Sequence, residues 1–151
     1  MSPEQEIKEL KEMVEYLGRN YVTELPSRHL FMGSVARMMT VGTPFVLAMY
    51  DVDGLHTVNR LEGHLKGDEL LREVAQNLKA MGDSYNEVYH IGGDEFFVIA
   101  FNTEDILDIP NTTSASISST QYSDVNDMID IVDKMVSAKK KATKRRRRED
   151  L

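Results

Sequence analysis

Two pairs of acidic residues stand where strands are predicted to end. Asp51 and Asp53 close the apolar run Phe45 to Tyr50, and Asp94 and Glu95 follow Gly92-Gly93 directly. Residues two apart on an extended segment face the same side, so Asp51 and Asp53 can act together. A Gly-Gly pair is a two-residue turn signal, which sets Asp94 and Glu95 just past the tip of a hairpin. If the strand 45–50 lies beside that hairpin, the carboxylates converge. Converging carboxylates repel one another unless a hard cation sits among them. Mg²⁺ accepts one or two carboxylates together with waters and substrate phosphates, and such a site performs phosphoryl or nucleotidyl transfer. The plain alternative is two pairs of solvated loop acids. An EF-hand fails on spacing: Asp51, Asp53 and Glu62 fit its first, third and twelfth positions, but Leu55 stands at the fifth and His56 at the sixth, which needs Gly.

The elements that must position these acids are readable. Ile7, Leu10, Met13, Val14 and Leu17 recur at helical spacing over 4–17, ended by Gly18. A second helix is predicted over about 27–40, started by Pro26 or Ser27 and broken by Gly42-Thr43-Pro44. The continuous apolar strand 45–50 implies burial on both faces. A short helix over 55–61 follows, then a break at Gly63-His64, where His64 reads as a structural hydrogen-bonder. A longer helix is predicted over 67–81, then the hairpin 88–91 and 96–101, a β-prone stretch 112–120 and a final helix 124–141. The nine Met are core gap-fillers. The order α-α-β-α-α-β-β-β-α predicts one α/β domain around an antiparallel-centred sheet.

A chain of 151 residues with 41% apolar residues suffices for one core. The absence of Cys excludes disulfides, zinc-thiolate sites and thiol chemistry. No signal peptide is visible, and no apolar run approaches the roughly 20 residues of a membrane helix, so a cytoplasmic protein without a membrane partner is expected. Eight of the 18 basic residues lie between Lys139 and Arg148, while residues 1–138 hold 10 basic against 23 acidic ones. A body this acidic repels a polyanion unless metal ions or local lysines intervene, so nucleic acid is not the expected partner. The basic end reads as solvated, with a phosphate contact as the alternative.

Gly92-Gly93-Asp94-Glu95-Phe96 resembles the signature of the GGDEF family, the diguanylate cyclases. Asp51-Val52-Asp53-Gly54-Leu55-His56-Thr57-Val58-Asn59, then Gly63-His64, Gly67-Asp68 and Leu71, resembles the family's strand–helix segment without a gap. Thr23-x-Leu25-Pro26-x-Arg28 resembles its opening motif, and Ala138-Lys139 its closing helix. The similarity covers about residues 20–144, with 1–19 as a preceding helix and 145–151 as a basic tail. The resemblance implies a palm-like α+β fold related to nucleotide cyclases and polymerases. It implies condensation of two GTP into cyclic di-GMP by a homodimer, with two Mg²⁺ or Mn²⁺ per active site. By the same resemblance Asp51 and Asp94 bind the metals, with the Val52 carbonyl and Asp53, and Glu95 sits beside the reacting 3′-hydroxyl or a metal. Asn59 and Asp68 read guanine, while the Gly54 and Leu55 amides hold phosphates with His56 and Lys139 nearby. A carboxylate suits guanine, whose N1–H and N2–H donate to it, whereas adenine leaves it unpaired.

The match departs from the family at several places. His56 stands where the family usually has Lys, Thr143 near a usual basic position, Glu24 for a usual Gly and Ser27 for a usual Asn. Asp83 and Asn86 occupy the positions of the family's Arg-x-x-Asp product site, so that feedback site is expected to be absent. Segment 102–111 is too short for the full helix usual there, and only the 4–17 helix, rather than a sensor domain, precedes the motifs. That helix either dimerises or packs on the domain. Two other functions stay open: a single-domain cyclic oligonucleotide synthase of the CRISPR-polymerase-like type using another nucleotide, and a silent GTP-binding or interaction module.

Overall fold

A computed structural model of the chain describes residues 1–82 and 85–149. Asp83 of the expected product-site comparison, and residues 150–151 of the expected tail, lie outside them.

The apolar run forms β1 (Val46–Val52), in a four-stranded sheet with β2 (Glu87–His90), β3 (Glu95–Ala100) and β4 (Thr112–Ser118). The order is β2-β3-β1-β4, and every neighbouring pair is antiparallel. The helices are α1 (Pro3–Leu17), α2 (Arg28–Val41), α3 (Leu55–Glu62), α4 (His64–Lys79) and α5 (Val125–Glu149). Central β1 is buried at every residue except Asp51, as its unbroken apolar sequence requires.

Alternation along the strands feeds two cores. Ala48, Tyr50, Val52, Phe96 and Val98 pack with Leu71, Val74, Ala75 and Leu78 of α4. Leu47, Met49, Phe97, Ile99 and Ala115 pack with Phe31 and Val35 of α2 and with Met128, Val132 and Val136 of α5. Fully burying such a side chain is worth about 1.5–3 kcal/mol.

Several boundaries differ from the sequence reading. Gly63, with φ 91°, ends α3, and nothing after it opposes a helix, so α4 starts at His64 rather than at 67. His64 is exposed there, and its side chain makes no hydrogen bond among the described residues. The hairpin connection holds four residues, 91–94, and neither Gly92 nor Gly93 has a left-handed φ. The Ile91 and Gly92 amides both donate to the Glu95 carbonyl, at 2.9 and 3.4 Å, closing a wider loop than a two-residue turn. Residues 145–149, expected as tail, continue α5, since Lys, Arg and Ala are good helix formers and no Gly or Pro interrupts them.

Segment 102–111 holds one 3-10 turn, Thr103–Asp105, in place of a full helix. It is pinned by the Tyr50 hydroxyl, which donates to the Leu107 carbonyl at 2.6 Å, and by Ile106 and Ile109 against the α4-side core. The apolar stripe of α1 is not packed on the domain: Ile7, Leu10, Met13, Val14 and Leu17 are 52–71% exposed.

Tyr50→Phe keeps the ring and removes the bond that pins the short segment. Urea unfolding should show a loss of about 1 kcal/mol. No loss would mean that the bond does not hold the loop.

Candidate active site

Register places the acids. Asp51 pairs with Glu95 across β1 and β3 and with Thr113 across β1 and β4. By alternation from Met49 and Phe97, Asp51 and Glu95 face the α2–α5 side. The Val52 amide donates to the Asp94 carbonyl at 2.8 Å, which draws the connecting loop over the end of β1. One carboxylate oxygen each from Asp51, Asp94 and Glu95 then lie within 4.8 Å of one another, all half-buried.

These charges strain one another. Burial raises the Asp51 carboxyl above the usual carboxylate range; Lys140 opposes the rise and Asp94 adds to it. Burial raises Glu95 likewise, reinforced by Asp94, Asp133 and Asp51. Three hard oxygen donors, partly desolvated and mutually repelling, fit a divalent ion such as Mg²⁺ or Mn²⁺.

Asp53 lies outside this set. Its Oδ1 accepts the Thr113 hydroxyl at 2.8 Å and stands 3.6 Å from Lys140 Nζ. Lys139 donates to the Ser114 carbonyl at 2.5 Å, while its neighbour Lys140 reaches Asp51 Oδ1 at 2.6 Å. Helical spacing accounts for this: Met128, Val132, Val136 and Lys140 recur every four residues, so Lys140 extends the row that packs on the sheet.

Gly54 caps α3 with φ 71°, and Leu55 anchors the helix by burying its side chain in the core. His56 is exposed in the first turn of this helix. Asn59 leans onto α4 at Gly67, where a Cβ would lie 1.7 Å from Asn59 Oδ1. That oxygen is buried and has no hydrogen-bond partner among the described residues. Asp68, the next residue after Gly67, is half-buried.

His90 is a residue that the sequence reading passed over. It is 1% exposed and stacks on Phe96 with ring centroids 4.3 Å apart. Its Nε2 lies 3.2 Å from the Gly93 carbonyl and its Nδ1 3.0 Å from the Thr23 hydroxyl. A carbonyl only accepts, so Nε2 carries the proton and the Thr23 hydroxyl donates to Nδ1. Burial lowers the His90 pKa and keeps this tautomer neutral. The ring thus ties the opening motif to the loop that carries Asp94. Only the Thr23 of that motif, 67 residues away, would have signalled it.

Residues 20–114 match the family described as diguanylate cyclase, GGDEF domain. The chain belongs to the GGDEF domain family. It is similar to the diguanylate cyclase DosC of Shigella sonnei (strain Ss046), with 34% identity over 99 residues, which are 60% of this chain and 22% of that protein. It is also similar to the diguanylate cyclase VdcA of Vibrio cholerae serotype O1, with 30% identity over 99 residues, 63% of this chain and 29% of that protein. The chain therefore spans less than a third of these curated relatives. The coiled coil and GGDEF domain of DgcB from Caulobacter crescentus, solved with c-di-GMP, superposes with a TM-score of 0.78 at 18% identity, covering 92% of this chain and 88% of that one. The S helix-GGDEF-EAL chain of Vibrio cholerae LapD gives 0.80 at 19% identity, covering 95% and 39%. These GGDEF structures establish the α+β palm-like fold. No helix among the described residues is long and apolar enough to cross a membrane.

His90 yields a pH test. Its folded pKa lies below the ordinary value of 6.5, so below that pH the unfolded chain binds the proton first and stability falls. His90→Gln should remove this part of the acid slope and cost about 1–3 kcal/mol at neutral pH. Chemical denaturation between pH 5 and 8 measures both, and an unchanged slope would refute the assignment.

Proposed function

We propose that the chain is a diguanylate cyclase domain that joins two GTP into cyclic di-GMP. The observation that carries the proposal is the meeting of Asp51, Asp94 and Glu95 at one end of β1 and β3. The diguanylate cyclase relatives support a domain that synthesises this product.

Asp51 and Asp94, with the Val52 carbonyl, would hold two divalent ions, and Asp53 steadies the edge of the site through Thr113. Such ions supply positive charge at the attacking and leaving oxygens of an in-line displacement. Glu95 sits by a metal or the 3′-hydroxyl and takes the hydroxyl's proton as the hydroxyl oxygen bonds the α-phosphorus of the other GTP. The α–β phosphoanhydride bond breaks, pyrophosphate leaves, and a second such step closes the ring.

The Gly54 and Leu55 amides, with Lys139 or Lys140, receive the phosphates, with His56 beside them. Asn59, whose Oδ1 is buried against Gly67, reads the guanine edge with the rest of its amide. Asp68 takes N1–H and N2–H, which adenine cannot offer together. Each domain holds one GTP, so two domains must face each other. The uncovered stripe of α1 supports a homodimer. A silent GTP-binding module is the second reading, favoured by exposed His56 where the family usually has Lys.

Purified protein with Mg²⁺ and either GTP or ATP, its products resolved by mass spectrometry, tests this. Cyclic di-GMP from GTP alone is the expected result. Asp94→Ala should cut turnover more than about a hundredfold with an unchanged circular dichroism spectrum. A cyclic product from ATP would overturn the guanine assignment. GTP binding without turnover would make the chain a binding module.

A further inference from the structure

Lys140 is the cation that the chain itself places among the acids. Its Nζ lies 2.6 Å from Asp51 Oδ1 and 3.6 Å from Asp53 Oδ1. The two partners of the short contact are shielded, with side-chain exposures of 28% for Lys140 and 15% for Asp51. Burial disfavours the ammonium, yet the Asp51 bond and the charges of Asp51, Asp53 and Asp94 outweigh burial and raise its pKa. Val136, one turn earlier in the same row, is buried in the core, so this face of α5 lies against the sheet.

A divalent ion at this cluster draws on the same carboxylate. Mg²⁺ binds a carboxylate oxygen at about 2.0–2.1 Å. An ammonium 2.6 Å from that oxygen would then stand within a few ångströms of a doubly charged ion, and at such range like charges repel strongly in a partly dry site. The Lys140 ammonium on Asp51 therefore opposes an ion at that carboxylate.

We propose that Lys140 is a built-in competitor for the metal: a divalent ion enters the site by displacing the Lys140 ammonium from Asp51. The inference rests on the metal reading of Asp51, Asp94 and Glu95. It adds a coupling to that reading. The freed ammonium needs an anion, and a nucleotide's phosphates supply one beside the site. Nucleotide and metal then each help the other to bind, through this one side chain, and the coupling is reciprocal. The metal-free domain keeps part of its acidic charge offset by its own lysine.

The test is a Mn²⁺ titration without nucleotide, followed by the electron paramagnetic resonance signal of free Mn²⁺, on the whole chain. Lys140→Met should bind Mn²⁺ about tenfold more tightly than the unaltered protein, whereas Lys140→Arg, which keeps the charge, should bind as weakly as it. A non-reacting GTP analogue should tighten Mn²⁺ binding more in the unaltered protein than in Lys140→Met. Thermal melts in EDTA run alongside: Lys140→Met should melt lower and gain more from Mn²⁺. If Lys140→Met does not fold, Lys140→Gln is read the same way. Equal or weaker Mn²⁺ binding by the neutral variant overturns the inference. If Asp51→Asn still loses the ion in that case, the metal reading stands without it. Absence of Mn²⁺ binding in all variants overturns both.

Discussion

The register of β1 against β3 is the constraint on which the rest depends. Asp51 faces Glu95 because Tyr50 is paired with Phe96 and Met49 with Phe97. A slip of one residue would send every side chain to the other face of the sheet. Asp51 would then turn toward α4, away from α5 and its lysine. Both faces of β1 are buried, so a slip would expose apolar groups and bury polar ones on two sides at once. The acids themselves contribute nothing favourable to this register. Their geometry is inherited from the apolar residues before them.

That inheritance explains where the site lies. Burial first, and like charges gathered together second, disfavour these ionised acids, and the raised carboxyls of Asp51 and Glu95 record the cost. The cost is tolerable where the core ends and water begins. Two polar contacts then refine the arrangement. Lys140 offsets part of the repulsion from one side. On the other, His90 holds the Gly93 carbonyl and the Thr23 hydroxyl, which ties the opening motif to the Asp94 loop.

Much of this was legible in the sequence, for definite reasons. The unbroken run 45–50 could only be an inner strand, and the acids flanking it and the hairpin had to meet once those strands paired. The GGDEF motif and the strand–helix segment after Asp51 pointed to the family that residues 20–114 match. Other features depend on geometry that local spacing does not encode. Gly92-Gly93 suggested a two-residue turn, but the Val52 amide pulls the Asp94 carbonyl out of the hairpin and widens the loop. Motif matching singled out Lys139, whereas the four-residue row through Val136 aims Lys140 at the acids. The bond between His90 and Thr23 joins residues far apart in the chain. The α1 helix has a regular apolar stripe whether it packs inward or waits for a partner, and only the fold distinguishes the two.

The contact of Asn59 with Gly67 limits how this protein can change. The wall beside Asn59 is bare helix backbone, since even a methyl group there would overlap the amide oxygen. Glycine is already the smallest residue, so the wall cannot be pared back, and it cannot be thickened without evicting Asn59. On the proposed reading of Asn59 and Asp68, natural drift or a designer therefore has no gradual route to a different base on that side, and a new preference has to come through the amide or the neighbouring acid outright.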